Sequence, residues 1–570
     1  MKNKKENTAR IRDRIIELYS SALLAHEANC TGLEKHMSQY LGSYEIDNSR
    51  ENATTVRNIT YEIIESEIDP DIPYPKATPS VYSEKRERNA RNIELLCRAV
   101  RERLPFEAIN DIDERYTYIY GGSVFYVEWD EDIFADGISG GVRLYCISPL
   151  DFIPEPGVCD IENMKYCFIR FTTTRSEILQ KYGVSAEQLE LAECEYRYGE
   201  ESIGADTMSV IHAFYRDEDG DVCKTVFSGK LILSDMQKCF GRKVAVCDKC
   251  GLETGSCDCE GSKPVYYDTP TEIVCGTDGE KIRVPYYMMR DFPIVIRQNT
   301  RCENSLLGLS DCERIRPQQQ AINKVESRIL KKLLRAGVTP VMPEDASFTL
   351  GNSIFGEIIR MRPGESIDNY GKIDTTPDIS QDIAEADRLY DQAKRVIGIS
   401  DALVGTDTTN AESGYARQLK ITRAASRLET KKRMKYHAYS RLYKLIFEHY
   451  LAFADEPRTL YYGGFLESET LMFNRSDFME RTLSGVPYYS DAYLFSVDLN
   501  SGSEYTREAL WQRNLANLES GTLGDKTAPE TLLLYWQAQQ RAHYPFARDN
   551  AEYFKSLLRS KNQAAENNQN

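Results

Sequence analysis

No apolar run in the 570 residues approaches the length that spans a bilayer, and the amino-terminal MKNKKENTARIRDR lacks the apolar core of an export signal. These absences predict a chain made and kept in a cytosol. Basic charge is in deficit: 71 Lys and Arg stand against 88 Asp and Glu, a formal net charge of −17. Tight coating of nucleic acid, which needs excess cations to neutralise phosphates, is therefore disfavoured, while loose passage of DNA is allowed. No phosphate-cradling glycine loop precedes a lysine, so nucleotide hydrolysis has no support. The six histidines (His26, His36, His212, His437, His449, His543) form no metal or triad spacing. Fifteen cysteines, an odd number and mostly scattered, argue against a disulfide framework and for reduced thiols plus a local metal site. What the chain has is 41% hydrophobic residues and 36 tyrosines, the composition of a folded protein with large contact surfaces. Its length predicts several domains.

Residues 7–40, 52–67 and 83–112 read as helices, the second stopping at Pro70, Pro73, Pro75 and Pro79. The period then changes to two: Tyr116–Tyr120, Val124–Trp129, Val142–Ile147 and Tyr166–Thr172 read as strands, with a helix at Ser176–Tyr182 and a hairpin turn at Asp219-Gly220. This is an α+β pattern. From about Val284 the character shifts. Ser310-Asp-Cys-Glu313 is a capping box opening a helix to Arg335, residues 338–375 are strand-like and turn-rich, and Thr376-Pro377-Asp378 opens a helix ending near Ile397. Thr409-Asn-Ala-Glu412 caps the next helix, strands follow at Thr459–Tyr462 and Tyr493–Leu499, and helices at 504–519, 528–541 and 547–560 precede a polar tail. Thr527-Ala-Pro-Glu530 reads as the cap of the middle one.

The helix after Thr409 is strongly basic in an acidic protein. Arg417, Lys420, Arg423, Arg427, Lys431, Lys432, Arg433, Lys435, Arg441 and Lys444 face a single acid, Glu429, over 417–444. At 100° per residue Arg417, Lys420, Arg427, Lys431 and Lys435 share one face. That face has something negative to meet, either nucleic acid or the acidic surface of a neighbouring copy.

Cys247-Asp-Lys-Cys250 and Cys257-Asp-Cys259 put four thiols within thirteen residues. Four thiolates in a flexible loop can surround one Zn²⁺ tetrahedrally, and such a closed site is structural rather than catalytic. Reduced loop cysteines are the alternative, and Cys239 and Cys275 flank the cluster as substitute ligands. Gly137-Ile-Ser139-Gly-Gly141 matches the hydrolase nucleophile pattern in form, but a strand follows where that elbow needs a helix, so a hairpin turn is expected. Asp217-Glu-Asp-Gly-Asp221 lacks the spaced ligands of a calcium loop and also reads as a turn.

The order of an α+β domain, helix, compact insert, helix, loop, long basic helix and C-terminal helices resembles the portal proteins of tailed bacteriophages. VPYYMMRDFPIVIRQNT (284–300), GLSDCERIRPQQQAINKVESRILKKL (308–333) and GISDALVGTDTTNAESGYARQLKI (398–421) look like that family's wing-to-stem junction, first stem helix and tunnel-loop-to-wing-helix segments. The resemblance implies a multi-domain α+β architecture: a wing over 1–300 with a Cys-rich insert at about 240–262, a first stem helix at 301–336, a clip of small α/β type at 337–376 and a second stem helix at 377–397. A tunnel loop at 398–411, a long wing helix with wing strands at 412–502, a helical crown at 503–560 and a disordered tail at 561–570 complete it. It further implies a homo-oligomeric ring, usually a dodecamer, at one vertex of the capsid. Double-stranded DNA is packaged and ejected through such a ring, which has no catalytic site. The implied partners are the large terminase subunit, the major capsid protein, scaffold and a head-completion adaptor, with no membrane. Asp401, Asp407, Thr408, Thr409 and Asn410 would then face the channel. The competing readings are a zinc-containing DNA-binding enzyme of nucleic-acid metabolism and an acidic cytosolic scaffold whose basic helix docks a partner.

Overall fold

The computed structural model describes the chain apart from residues 1, 48–52, 136, 191–206, 218–219, 239–245, 248–263, 266–270, 276–280, 304, 336–337, 342–348, 354–355, 361–367, 369–370, 375–376, 400–413, 455, 463–468, 484, 499–506, 542–543, 545 and 568–570. Side chains are further left undescribed across the stretches 1–11, 235–280, 335–376 (except 368), 400–428, 461–471, 498–510 and 559–570, and at a few single positions. The fold is mixed helix and strand, and the chain divides into two units, 1–70 with 77–495 and 71–76 with 496–570.

The larger unit opens with helices α1 (Lys2–Leu41) and α2 (Ile59–Glu65), followed by α3 (Glu84–Arg103) and α4 (Phe106–Tyr120). The single helix expected over 83–112 is two, because Leu104 turns extended before Pro105, whose preceding residue is barred from helical geometry. The strand expected at Tyr116–Tyr120 is instead the end of α4. Tyrosine favours strands, but Ile109, Asp113, Thr117 and Tyr120 continue a buried helical face, and Gly121 at φ 92° ends it.

Strands β1 (Tyr74–Pro79), β2 (Gly122–Ala135), β3 (Ile138–Ile147), β4 (Phe152–Pro154), β5 (Tyr166–Thr174), β6 (Thr207–Arg216), β7 (Val222–Ser228) and β8 (Leu231–Lys238) come next, with α5 (Arg175–Tyr182) and α6 (Ala186–Glu190) among them. β4 to β8 form an antiparallel sheet in sequence order. Its alternation is legible: Cys167, Ile169 and Phe214 pack with Val124, Tyr126 and Ile147, while Phe168, Ile211 and Ala213 face Ile15, Tyr19 and Ala22 of α1. Of the glycine pattern at 137–141 Gly137 lies in the β2–β3 turn, while Ile138, Ser139 and Gly141 pair with Ala135, Phe134 and Asp130, so the hairpin is as expected but β3 begins before Val142; Asp217 N donates to Asp221 O to close the β6–β7 hairpin. β9 (Val246–Cys247) pairs with β10 (Pro264–Val265), and β11 (Thr271–Cys275) with β12 (Lys281–Pro285). β13 (Ile294–Gln298) joins β2 and β3 in a second antiparallel sheet.

The part that resembles a stem is a helical hairpin. α7 (Asp311–Arg335) is about 37 Å long at 1.5 Å per residue, and α8 (Ser380–Ile397) about 27 Å. Ile315, Ile322 and Val325 pack against Ala386, Leu389, Ala393 and Ile397, with Ile59 and Ile63 of α2 closing the seam. Arg328 (3.3 Å) and Lys332 of α7 both reach Asp382 in the first turn of α8, so the helices run antiparallel. Ser310 Oγ accepts from Glu313 N at 3.4 Å, one half of the expected capping box. α8 starts at Ser380, later than the proline signal suggested, and its Asp378 accepts from Ser380 N at 2.9 Å. Between the helices two antiparallel ladders nest: β14 (Val338–Val341) with β17 (Gly371–Asp374), and inside them β15 (Thr349–Ser353) with β16 (Gly356–Arg360).

Helix α9 (Gly414–Phe453) returns through the body and packs on β2 and β13, with Tyr439 edge-on to Phe125 (5.6 Å) and Tyr450 edge-on to Trp129 (5.4 Å). The smaller unit holds α10 (Arg507–Glu519), α11 (Pro529–Arg541) and α12 (Ala547–Asn567), where Gln539 Nε2 donates to Trp511 O at 3.2 Å. The Thr527 hydroxyl donates to Asp525 Oδ1 at 2.9 Å, and α12 extends into the stretch expected to fray.

Candidate functional site

The basic helix meets its negative charge inside its own chain. Lys431 is 8% exposed and Lys435 1%. Lys431 Nζ lies 2.8 Å from Glu67 Oε1 and 2.7 Å from Asp311 Oδ2, over the ring of Tyr118. One turn on, Lys435 Nζ contacts Glu114 Oε1 and donates to Asp69 O, each at 3.0 Å. Arg297 of β13, also fully buried, donates from Nη1 to Glu114 Oε1 at 2.7 Å and to Asp113 Oδ2 at 2.5 Å. Ser123 donates to the other oxygen of Asp113, and Asn299 Nδ2 to Asp311 Oδ2 at 2.9 Å. The remaining cations toward the helix end behave alike: Lys432 pairs with Asp69 (3.4 Å), Arg441 with Glu162 (3.5 Å) and Lys444 with Asp291 (3.3 Å).

This corrects the expectation for two of the five residues on the basic face. Lys431 and Lys435 are not presented to DNA or to a neighbouring copy. They share their face with Ala438, Tyr439, Leu442 and Ile446, all buried, so the face that is basic at 417 has become the core face by 431. α9 is described at Arg417, Lys420 and Arg427 as backbone only. Asp401, Asp407, Thr408, Thr409 and Asn410, together with Cys250, Cys257 and Cys259, lie outside the described residues, and Cys247 is described as the backbone of β9.

No family model and no curated protein matches the chain. The buried knot is therefore judged by its own chemistry. Four carboxylates (Glu67, Asp113, Glu114, Asp311) face three buried cations (Arg297, Lys431, Lys435), and the partly exposed Arg314 lies 3.9 Å from Asp311, so the cluster is close to charge balance. Burial and then the adjacent Asp311 push Glu67 well above the usual carboxylate range, and burial first of all also raises Asp113. Glu114 goes the other way, because Arg297 and Lys435 outweigh its burial. The arrangement is a structural clamp joining α4, α7, α9, β13 and the segment after α2. Among the described residues no group of three or more His, Cys, Asp or Glu side chains is placed to hold a metal ion.

Sequence reasoning missed Arg297, Asp113, Glu114, Glu67 and Asp311. A usable signal existed: Arg297 is the one charge in the strand IVIRQ, and Asp113 and Glu114 are charges between the buried Ile109 and Tyr118 of α4.

A second buried carboxyl, Glu448, is pushed up to about 7, by burial first, against the pull of Lys444 at 3.3 Å. His36 and His449 are pushed down to about 4 by burial. A carboxyl raised in the folded state stabilises most when protonated, and that share is lost as pH climbs from about 4.5 through 7. A histidine lowered in the folded state costs stability as pH falls from 6.5 toward 4. Stability should thus fall on both sides of weakly acid pH. Glu448→Gln should flatten the decline between pH 6 and 8 in thermal melts, and an unchanged slope would assign that decline elsewhere.

Proposed function

We propose that the chain is a portal-type subunit of a tailed-phage virion. Copies form a ring at one capsid vertex, through which double-stranded DNA is packaged and ejected, and which docks the terminase motor, capsid protein, scaffold and head-completion adaptor. The observation that carries this reading is the α7–α8 hairpin with nested strand ladders inserted at its tip, set between an α+β body and a long returning helix. Antiparallel helices of about 37 and 27 Å are suited to line a channel as staves, and the insert at their far end is suited to dock a motor. Asp401, Asp407, Thr408, Thr409 and Asn410 then face the channel, while Arg417, Lys420 and Arg427 meet DNA or an acidic neighbour. The ring is a conduit without catalysis. Light scattering with negative-stain imaging of the purified chain tests the reading: a closed ring of many copies with a central hole is expected. A monomer that stays monomeric with scaffold and binds short duplexes in a salt-sensitive way would replace it with the DNA-binding enzyme.

The cysteine cluster is read as a structural Zn²⁺ site in an insert of the wing. β9 places Cys247 opposite Pro264 of β10, so the chain leaves and returns at one point around the stretch that carries Cys250, Cys257 and Cys259. Elemental analysis of protein prepared without chelator should find one zinc per chain. None, or zinc that persists in a Cys250→Ser/Cys257→Ser variant, would remove the site.

A further inference from the structure

Two cysteines outside that cluster come together from distant parts of the chain. Cys159 follows β4 in the 155–160 strap, and Cys302 lies in the loop between β13 and α7. Both are partly exposed free thiols, and both line one surface cleft together with Asp160, Arg301 and Glu303. The residues next to them are bonded to each other: Arg301 Nη2 contacts Asp160 Oδ1 at 3.0 Å, an exposed pair that holds the strap against the loop. The loop itself is firmly seated, with Leu309 N donating to Thr300 O at 2.9 Å and Asn299 N to Gly121 O at 2.9 Å. Cys30 and Cys146 are also partly exposed but do not line this cleft, and four other described cysteines are buried. Cys97 and Cys312 are buried, and burial pushes their thiols up, so they stay protonated and shielded.

We propose that Cys159 and Cys302 are a reactive dithiol that closes to an intramolecular disulfide in the presence of hydrogen peroxide. One thiolate attacks a peroxide oxygen, forming an S–O bond and breaking O–O, which leaves a sulfenic acid and releases hydroxide. The second thiolate attacks that sulfur, forming S–S and displacing the sulfenic oxygen as hydroxide. The two protons given up by the thiols complete two waters with the hydroxides, so two electrons pass from the sulfurs to the peroxide. The bridge would staple the strap to the loop that leads into α7, across a spacing that a disulfide accepts only when the two Cα atoms come within about 7 Å. Being independent of the ring and of the zinc site, the dithiol can fail without affecting either.

The test is non-reducing peptide mapping of the full chain after brief treatment with hydrogen peroxide, against a reduced control. A peptide cross-linking Cys159 to Cys302 is expected, reversed by dithiothreitol, with a higher melting temperature for the oxidised chain. In Cys159→Ser, Cys302 should stop at the sulfenic acid and be trapped by dimedone. The proposal is overturned if both cysteines remain alkylatable, if they overoxidise separately, if either links to a different cysteine or a second chain, or if Cys159→Ser leaves the Cys302 product unchanged.

Discussion

Arg297→Met should cost about 3–5 kcal/mol and leave little folded protein at moderate temperature, because it strands Asp113 and Glu114 in a dry interior with Lys435 alone for compensation. The effect comes from the unpaired charge and not from lost packing, since methionine fills much of the same volume. Removing the stranded charge as well, with Asp113→Asn added to Arg297→Met so that Glu114 keeps Lys435 as its partner, should recover a large share of the stability. Urea titrations of the single and double variants check both steps. A single variant within about 1 kcal/mol of the parent would mean that the pair is solvated, and a double variant as unstable as the single would mean that packing dominates.

Gly308→Ala should be comparably damaging for a purely steric reason. Gly308 sits at φ +89°, and a Cβ there would stand 2.5 Å from Thr300 O, a backbone atom tied into the same turn. Left-handed strain of about 1–2 kcal/mol adds to a backbone displacement of about 1–3 kcal/mol. Gly157 provides the control, because its φ is +79° but a Cβ there meets nothing within 4 Å. Gly157→Ala should carry the strain alone. Equal losses of melting temperature in the two variants would show that the contact with Thr300 relaxes freely.

Local signals in the sequence were reliable where they acted alone. The β2–β3 turn at Gly137, the β6–β7 hairpin closed between Asp217 and Asp221, the start of α7 at Ser310 and the end of α8 at Gly398 follow from residues whose backbone preferences have no competitor nearby. Signals failed where tertiary packing outvoted them. Tyr116–Tyr120 carries strand-favouring side chains but completes a buried helical face. The basic helix is the clearest case. Its charges were read as a surface because lysine and arginine are seldom buried, yet Lys431 and Lys435 stand in helical register with Tyr439, Leu442 and Ile446, and the apolar half of that face predicts the burial of the rest. The acids that neutralise them could not be found by spacing, since Glu67 is 364 residues from Lys431 in the chain.

That separation imposes a schedule on synthesis. A ribosome adding about 5–20 residues per second reaches Lys431 roughly 20–70 s after Glu67 has left the decoding site. Throughout this interval Glu67 lacks Lys431, and Asp311, once made, has only the longer 3.9 Å pair with Arg314, so burying the two acids together would be strongly unfavourable. The growing chain is thereby kept from closing its centre around an incomplete set of helices. The last long helix acts as the key that permits closure, so a truncation before residue 431 should yield an open, protease-sensitive chain rather than a smaller folded domain.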